Sequence, residues 1–315
     1  MKYLIIIACI VAPLLLGAQK TETFYDYNWQ PCEAENARFY GTLQKTDSGW
    51  LRKDYFLASK SLQMQALYED KACKIQNGDC FYFYANGKPS ITGRMLHGKK
   101  EGICLQYYFN GMMADSAMYH NGVSVGNRIM WHRNGYPSDS IAHVNDSTDV
   151  HISWFDDGSL FSAGYLLNGK KYGKWKYYHR NGTLAAEEKY WDGEVIAKSY
   201  FKDDGSPQTD TAFAKTSATF KKGGNEGWKK YLEKNSHWPT GLSLANTNFV
   251  TIGVEFTINE EGKPEDIDVV IPFHPEFDKI AEDIIRQSPV WIPAMSNNRK
   301  VKERFRQPLT FQQEE

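Results

Sequence analysis

Eight histidines, 38 acidic and 37 basic side chains and five cysteines are spread over 315 residues. Catalysis needs a few such groups at spacings that one fold element can hold together. His120 with His143, or His132 with His151, would approach each other across neighbouring strands, as a metal site or proton relay requires. Neither pair has a carboxylate at a recurring offset, so these histidines read as half-exposed strand residues. Asp156-Asp157 and Asp203-Asp204 occupy the same position in a repeated turn, which makes them turn formers rather than a calcium site. Glu260-Glu261 sits in a hairpin connection and reads as solvated. No GxSxG elbow, phosphate loop, HExxH or paired-glycine nucleotide fingerprint occurs. The expectation is a non-enzyme with no cofactor and no metal. The group with a physical purpose is the cationic run Lys300, Lys302, Arg304 and Arg306 near the C-terminus.

The elements that position these groups announce themselves by repetition. Asn86-Gly87, Asn110-Gly111, Asn134-Gly135, Asp157-Gly158, Asn181-Gly182 and Asp204-Gly205 recur every 23 or 24 residues. A second series lies between them at His97-Gly98, Asn121-Gly122, Asn168-Gly169 and Asp192-Gly193, with Asp146-Ser147 in the gap. Such dipeptides favour type I′ turns, so each unit predicts a β-hairpin and residues 78–206 a long antiparallel meander. Four residues before each first-series glycine stand Phe83, Tyr107, Trp131, Trp154, Tyr178 and Phe201. These six rings predict a stacked ladder on one face. It reads as the array's own core, with a stacking platform for glycan or peptide as the alternative. Asp54 to Lys60 and Leu62 to Met64 predict a degenerate earlier unit, which would start the sheet near residue 50.

Net charge is −1 and hydrophobic residues make up 41%, so no global field favours nucleic acid and no polytopic membrane protein is indicated. Lys2, the apolar run Tyr3 to Leu16 and the small residues before Gln19 predict a signal peptide over 1–18 and export to the periplasm. An uncleaved inner-membrane anchor is the alternative. Four cysteines would remain: Cys32, Cys73, Cys80 and Cys104. Cys80 and Cys104 fall two strands apart, about 9–10 Å, beyond disulfide reach.

Residues 207–219 are short-chained and polar and predict a linker between the 78–206 array, preceded by a 19–77 segment, and a C-terminal domain over 220–315. Trp228, Tyr231 and Leu232 have helical spacing. Val250, Ile252, Val254, Phe256 and Ile258 alternate as a strand, and Ile267, Val269 and Ile271 return. Phe277, Ile280, Ala281, Ile284 and Ile285 mark a helix, and Val301, Phe305, Leu309 and Phe311 the last strand. The order α-β-β-α-β predicts a small α+β domain.

Segments such as Gly173 to Gly182 followed by Glu187 to Gly193 resemble MORN-type repeats of the YwqK-like variant, which implies an interaction scaffold at a protein or membrane surface. Trp228, Tyr231-Leu232, Pro239, Gly262, Asp278, Trp291-Ile292-Pro293-Ala294, Phe305, Pro308 and Phe311 resemble the C-terminal domain of TonB-family proteins of the Bacteroidetes type. Lys222, Asn298 and Pro264 depart from that pattern. The fold class expected is mixed: an elongated antiparallel meander of MORN-like hairpins plus a TonB-like α+β domain.

Three functions fit. One is a non-catalytic envelope protein whose TonB-like domain docks an extended segment of an envelope protein or outer-membrane receptor. The others are an anchored TonB energy transducer serving outer-membrane transport, and a self-associating scaffold such as a homodimer. Pro308 within the final strand argues for a sheet edge, because proline cannot donate to a ladder. Lys300, Lys302, Arg304 and Arg306 would guard that edge against aggregation. The TonB resemblance implies that the same edge recruits a partner strand, and the four cations would favour an acidic one.

Overall fold

The computed structural model describes residues 21–209, 215–244 and 248–313. The predicted signal peptide over 1–18 and the middle of the predicted linker lie outside the described residues. Fifteen strands, from Thr21–Tyr25 to Glu194–Tyr200, form one antiparallel sheet in strict sequence order. Four of them precede Gln76–Phe83, so the sheet begins some 30 residues before the degenerate unit and runs unbroken past residue 78. The connections of the first strands, such as Asp47-Ser48, lack the Asn-Gly signature that marks the later ones, so the sequence alone shows only the 54–64 unit ahead of the array.

The two turn series differ in geometry. In the second, both central residues have positive φ, 50° and 85° at Asn121-Gly122 and 49° and 86° at Asp192-Gly193, as type I′ demands. In the first, only the glycine is left-handed, for example Gly87 at 80°. Gly87 N–H donates to the Tyr84 carbonyl and Tyr84 N–H to the Lys88 carbonyl. This is a three-residue loop, a type I turn closed by a left-handed residue, rather than the expected type I′ turn. A one-residue bulge follows each such loop, at Ser90, Ala114, Ser138, Phe161 and Ala185.

The ladder residues lie at these bulges, half-buried, and none belongs to a buried cluster. Successive rungs are two strands apart, too far for ring-to-ring contact. Apolar burial on the repeat sheet falls instead on the opposite face. There Trp175, 1% exposed, lies across Gly164, a position where any Cβ would strike the indole. Trp175 packs with Tyr177, Ala186, Tyr190 and Tyr200. Cys80 and Cys104 flank Gly93 from the strands on either side.

The C-terminal region has the expected order. Helix α1 (Gly224–Asn235) is followed by strands Phe249–Ile258 and Pro264–Ile271, helix α2 (Pro275–Arg286) and strand Glu303–Gln312. The three strands form a sheet with Phe249–Ile258 in the centre and Glu303–Gln312 at an edge, as Pro308 predicts. Val250, Ile252, Val254, Phe256 and Ile258 bury one face beneath α1 and α2, together with Phe277, Ala281, Ile285, Leu309 and Phe311. Asn298 takes φ 64°, so asparagine supplies the left-handed turn where the resemblance called for glycine.

Candidate functional site

The other face of the C-terminal sheet rests on the repeat sheet, along the row of first-series turns. The position immediately before each turn's Asn or Asp aligns with this seam, and its chemistry changes from unit to unit. Ala85 and Phe109 pack with Val270 and Ile271, beside Phe39 and Phe56. One unit on, Arg133 forks both carboxylate oxygens of Asp268, a side chain only 5% exposed in a residue of the return strand, and reaches Asp266 at 3.2 Å. In the next unit Asp156 accepts from Lys302 at 2.8 Å. After that, Arg180 bridges Glu260 at 2.7 Å, Asp156 at 2.8 Å and Asp157 at 2.9 Å. A repeat that needed only its own stability would have no reason to vary this row.

A second row explains how units are tied and where the tie is broken. Tyr84 donates its hydroxyl to the Tyr107 carbonyl of the next unit at 2.8 Å, and Tyr108 to the Trp131 carbonyl at 2.7 Å. His132 and His179 reach the Trp154 and Phe201 carbonyls the same way, at 2.8 and 3.0 Å. The fourth unit places Phe155 here, which has nothing to donate. The Tyr178 carbonyl left over is taken by Arg299 of the C-terminal domain, whose Nη1 donates to it and to the Phe161 carbonyl, both at 2.7 Å. The guanidinium lies 3.7 Å from the Phe161 ring centre and 5.7 Å from that of Phe155, and those two rings meet edge to face at 4.8 Å. The other bulge positions hold Ser or Ala. The fourth unit therefore departs from its neighbours at Phe155, Asp157 and Phe161 together: Phe155 and Phe161 build a socket for Arg299, and Asp157 accepts from Arg180.

Arg299 is 4% exposed, and burial pulls its guanidinium down to about 10, against the opposing pull of Tyr177 and Glu188. Around Lys302, burial disfavours the charge, yet hydrogen bonds to Asp156 and Glu265 outweigh that and raise the ammonium above its usual range. At Asp156 burial pushes upward, and donation from Lys302 and Arg180 more than offsets it, so the carboxyl titrates low. Bonds from Ser159, aided by Arg180, bring Asp157 down to about 2.

A carboxylate lowered by folding binds its proton less readily than in the unfolded chain, so its contribution is present above about pH 3.8 and fades as pH falls toward the folded value. Asp266 works in the opposite sense, since burial beside Arg133 raises it. The Asp156 and Asp157 contribution should therefore be intact at pH 5 and disappear between about pH 4 and pH 2. Urea unfolding midpoints across that range check it: Asp156→Asn should flatten the wild-type decline, and a decline of unchanged steepness would count against the assignment.

The predicted cationic edge is only partly free. Lys302 is held by Asp156 and Glu265, and Arg304 is paired with Glu255, its guanidinium 5.8 Å from the Tyr108 ring centre. Arg306 approaches Glu255 only at 3.9 Å and keeps 57% of its side chain exposed, and Lys300 is exposed. Two of the four cations thus serve the interior of the chain. The histidines do not pair with one another: His120 meets Glu101, His143 meets Asp149, His151 meets Asp139 and His179 meets Asp203, each at about 3 Å. Asp157 and Asp204 each accept from the backbone N–H two residues on, as turn formers do. Among the described residues no three His, Cys, Asp or Glu side chains are placed to hold a metal ion. Arg133, Arg180 and Arg299 were not singled out by sequence. For Arg133 and Arg180 the signal is departure from the repeat, since their equivalents include Ala85 and Phe109; Arg299 lies outside the repeat and has no such signal.

Fold and seam together define a class: a single-layer repeat sheet carrying a small α+β domain docked along its turns. Residues 247–312 match the family model described as the Gram-negative bacterial TonB protein C-terminal, and residues 171–192 match the MORN repeat variant. No curated protein matches the chain. TonB-type C-terminal domains belong to cell-envelope, transport-associated proteins and as a class engage envelope or outer-membrane receptor proteins. No helix among the described residues is long and apolar enough to cross a membrane.

Proposed function

We propose that the chain is a non-catalytic, periplasmic binding protein whose C-terminal domain takes an extended partner segment by strand addition along Glu303–Gln312. The observation that carries this is the position of that strand, which pairs with Phe249–Ile258 on one side only, with no described strand on its second edge. Unpaired backbone groups supply affinity in strand addition, and flanking side chains choose the partner. The most exposed cations near that edge are Lys300 and Arg306, the latter also beside the Tyr27 hydroxyl and Glu255, so the charge preference is narrower than four cations would give. The repeat sheet orients the domain and shields the face it covers.

A ten-residue peptide alternating Val or Thr with Asp or Glu tests this by hydrogen exchange on the full chain. Protection should appear at 303–312 and weaken as salt rises, because the steering charges are exposed. Arg306→Gln should weaken the peptide about five- to tenfold, on the order of 1 kcal/mol, without changing the unfolding midpoint. Protection elsewhere, or none at saturating peptide, would refute strand addition at this edge.

A further inference from the structure

A cavity of about 600 Å³ opens where the last strands of the repeat sheet meet the turn that joins Ala294–Ser296 to Arg299–Val301. Glu188 lies in its wall, 5% exposed, with Trp175 opposite it on one neighbouring strand and Lys198 on the other. The four units before it hold Gly93, Ala117, Ile141 and Gly164 at this position. A buried carboxylate costs far more than any of those, so the sheet alone has no use for it. Both Glu188 oxygens accept tyrosine hydroxyls, one from Tyr190 and one from Tyr200 at 3.2 Å. The Tyr190 proton is thereby committed, so the Tyr177 hydroxyl, 3.1 Å away, must donate to Tyr190. Its oxygen is left to accept from Lys171 Nζ at 2.8 Å. This chain fixes the Lys171 ammonium at the cavity, 4.4 Å from the Trp175 ring centre and 5.2 Å from those of Tyr177 and Tyr190.

Lys198 and Lys215 line the same cavity with exposed side chains. Lys171 donates to a hydroxyl and Lys198 stands 5.8 Å from the Tyr200 ring centre, and no described carboxylate lies within 4.0 Å of any of the three ammoniums. Burial pulls the Lys171 ammonium down, and Lys215 and Arg299 add to that against the opposing pull of Glu188. Three ammoniums against one carboxylate leave two positive charges in a partly enclosed space, where they repel until an anion neutralises them. A carboxylate ligand would cancel one of the two, whereas a phosphate monoester, close to dianionic at neutral pH, cancels both. We propose that the cavity binds a phosphate group, carried by a small ester or by a lipid headgroup, with Lys171, Lys198 and Lys215 as its cationic contacts. Lys171 belongs to the repeat sheet and Lys215 to the segment leading into the C-terminal domain, so the ligand bridges the two parts of the chain. No residue of Glu303–Gln312 lines the cavity, so its ligand is independent of strand addition there.

Calorimetric titration of the full chain with glycerol 3-phosphate and, separately, with acetate tests it. Glycerol 3-phosphate should bind once per chain with a dissociation constant of about 1 mM or tighter, and acetate about tenfold more weakly or not at all. Lys171→Gln should weaken the phosphate by about tenfold or more, the worth of one charge-assisted bond. Lys198→Gln with Lys215→Gln should do the same without moving the urea midpoint, since both side chains are exposed, and covers the case in which Lys171→Gln misfolds. Lys229→Gln, on an exposed lysine of α1, should leave the affinity unchanged. Cosedimentation with phosphatidylcholine vesicles carrying phosphatidic acid separates the two sources. Capture that glycerol 3-phosphate competes away assigns the headgroup, and binding of glycerol 3-phosphate without capture assigns the free ester. Absence of both overturns the proposal, as do equal affinities for acetate and glycerol 3-phosphate, or an affinity that survives both lysine changes.

Discussion

Replacing Arg299 with Ala should undock the C-terminal domain from the repeat sheet while leaving each folded. The guanidinium donates to both the Phe161 and Tyr178 carbonyls at the seam, and it lies over the Phe161 ring beside Phe155. Hydrogen bonds from a charged donor are worth about 1.5–3 kcal/mol each, and the cost of burying the charge offsets part of that. A net loss of about 2–4 kcal/mol in docking is therefore expected. It should appear as a larger radius of gyration and as urea unfolding that splits into two transitions. Arg299→Lys should not rescue it, because one ammonium cannot fork to two carbonyls while lying flat on a ring. If the radius and the single transition both persist in Arg299→Ala, docking rests on the apolar contacts of Val270 and Ile271 instead.

Arg133→Ala should be costlier still, about 3–5 kcal/mol, because it leaves Asp268 buried without its counter-charge. Here the damage comes from the orphaned carboxylate more than from the lost bond. The double variant Arg133→Ala, Asp268→Asn should therefore recover most of the lost stability. The urea midpoint of the four proteins in this cycle gives the coupling directly. A double variant no better than Arg133→Ala would mean that the arginine acts through packing along the seam and not through Asp268.

The Asn-Gly spacing already held the hairpin array, because a residue pair that prefers left-handed backbone reports on its own turn regardless of context. Alternation in Val250 to Ile258 and helical spacing in Phe277 to Ile285 likewise read out correctly, since each burial pattern is set by which face of one element meets the core. Pro308 placed the last strand at an edge, because a missing N–H is a local fact with a topological consequence. The type of the first-series turn was not legible, since Asn-Gly serves both a two-residue loop and a type I turn closed by glycine. The ladder of rings was legible as a row but not as a surface. Bulges at each rung and the placement of the buried aromatics on the opposite face depend on neighbouring strands.

What periodicity could not carry was the seam. Arg299 lies 138 residues from Phe161 and Arg133 lies 135 from Asp268, and no local pattern links positions so far apart. The departures at Phe155, Asp157 and Phe161 were visible as irregularities in a repeat, but their meaning required the partner they fit. Local backbone preference therefore determined the elements and their order. Only tertiary packing decided which face of the repeat sheet holds the C-terminal domain, and hence that Lys302 and Arg304 bind carboxylates of their own chain while the edge strand and the opposite sheet face stay open.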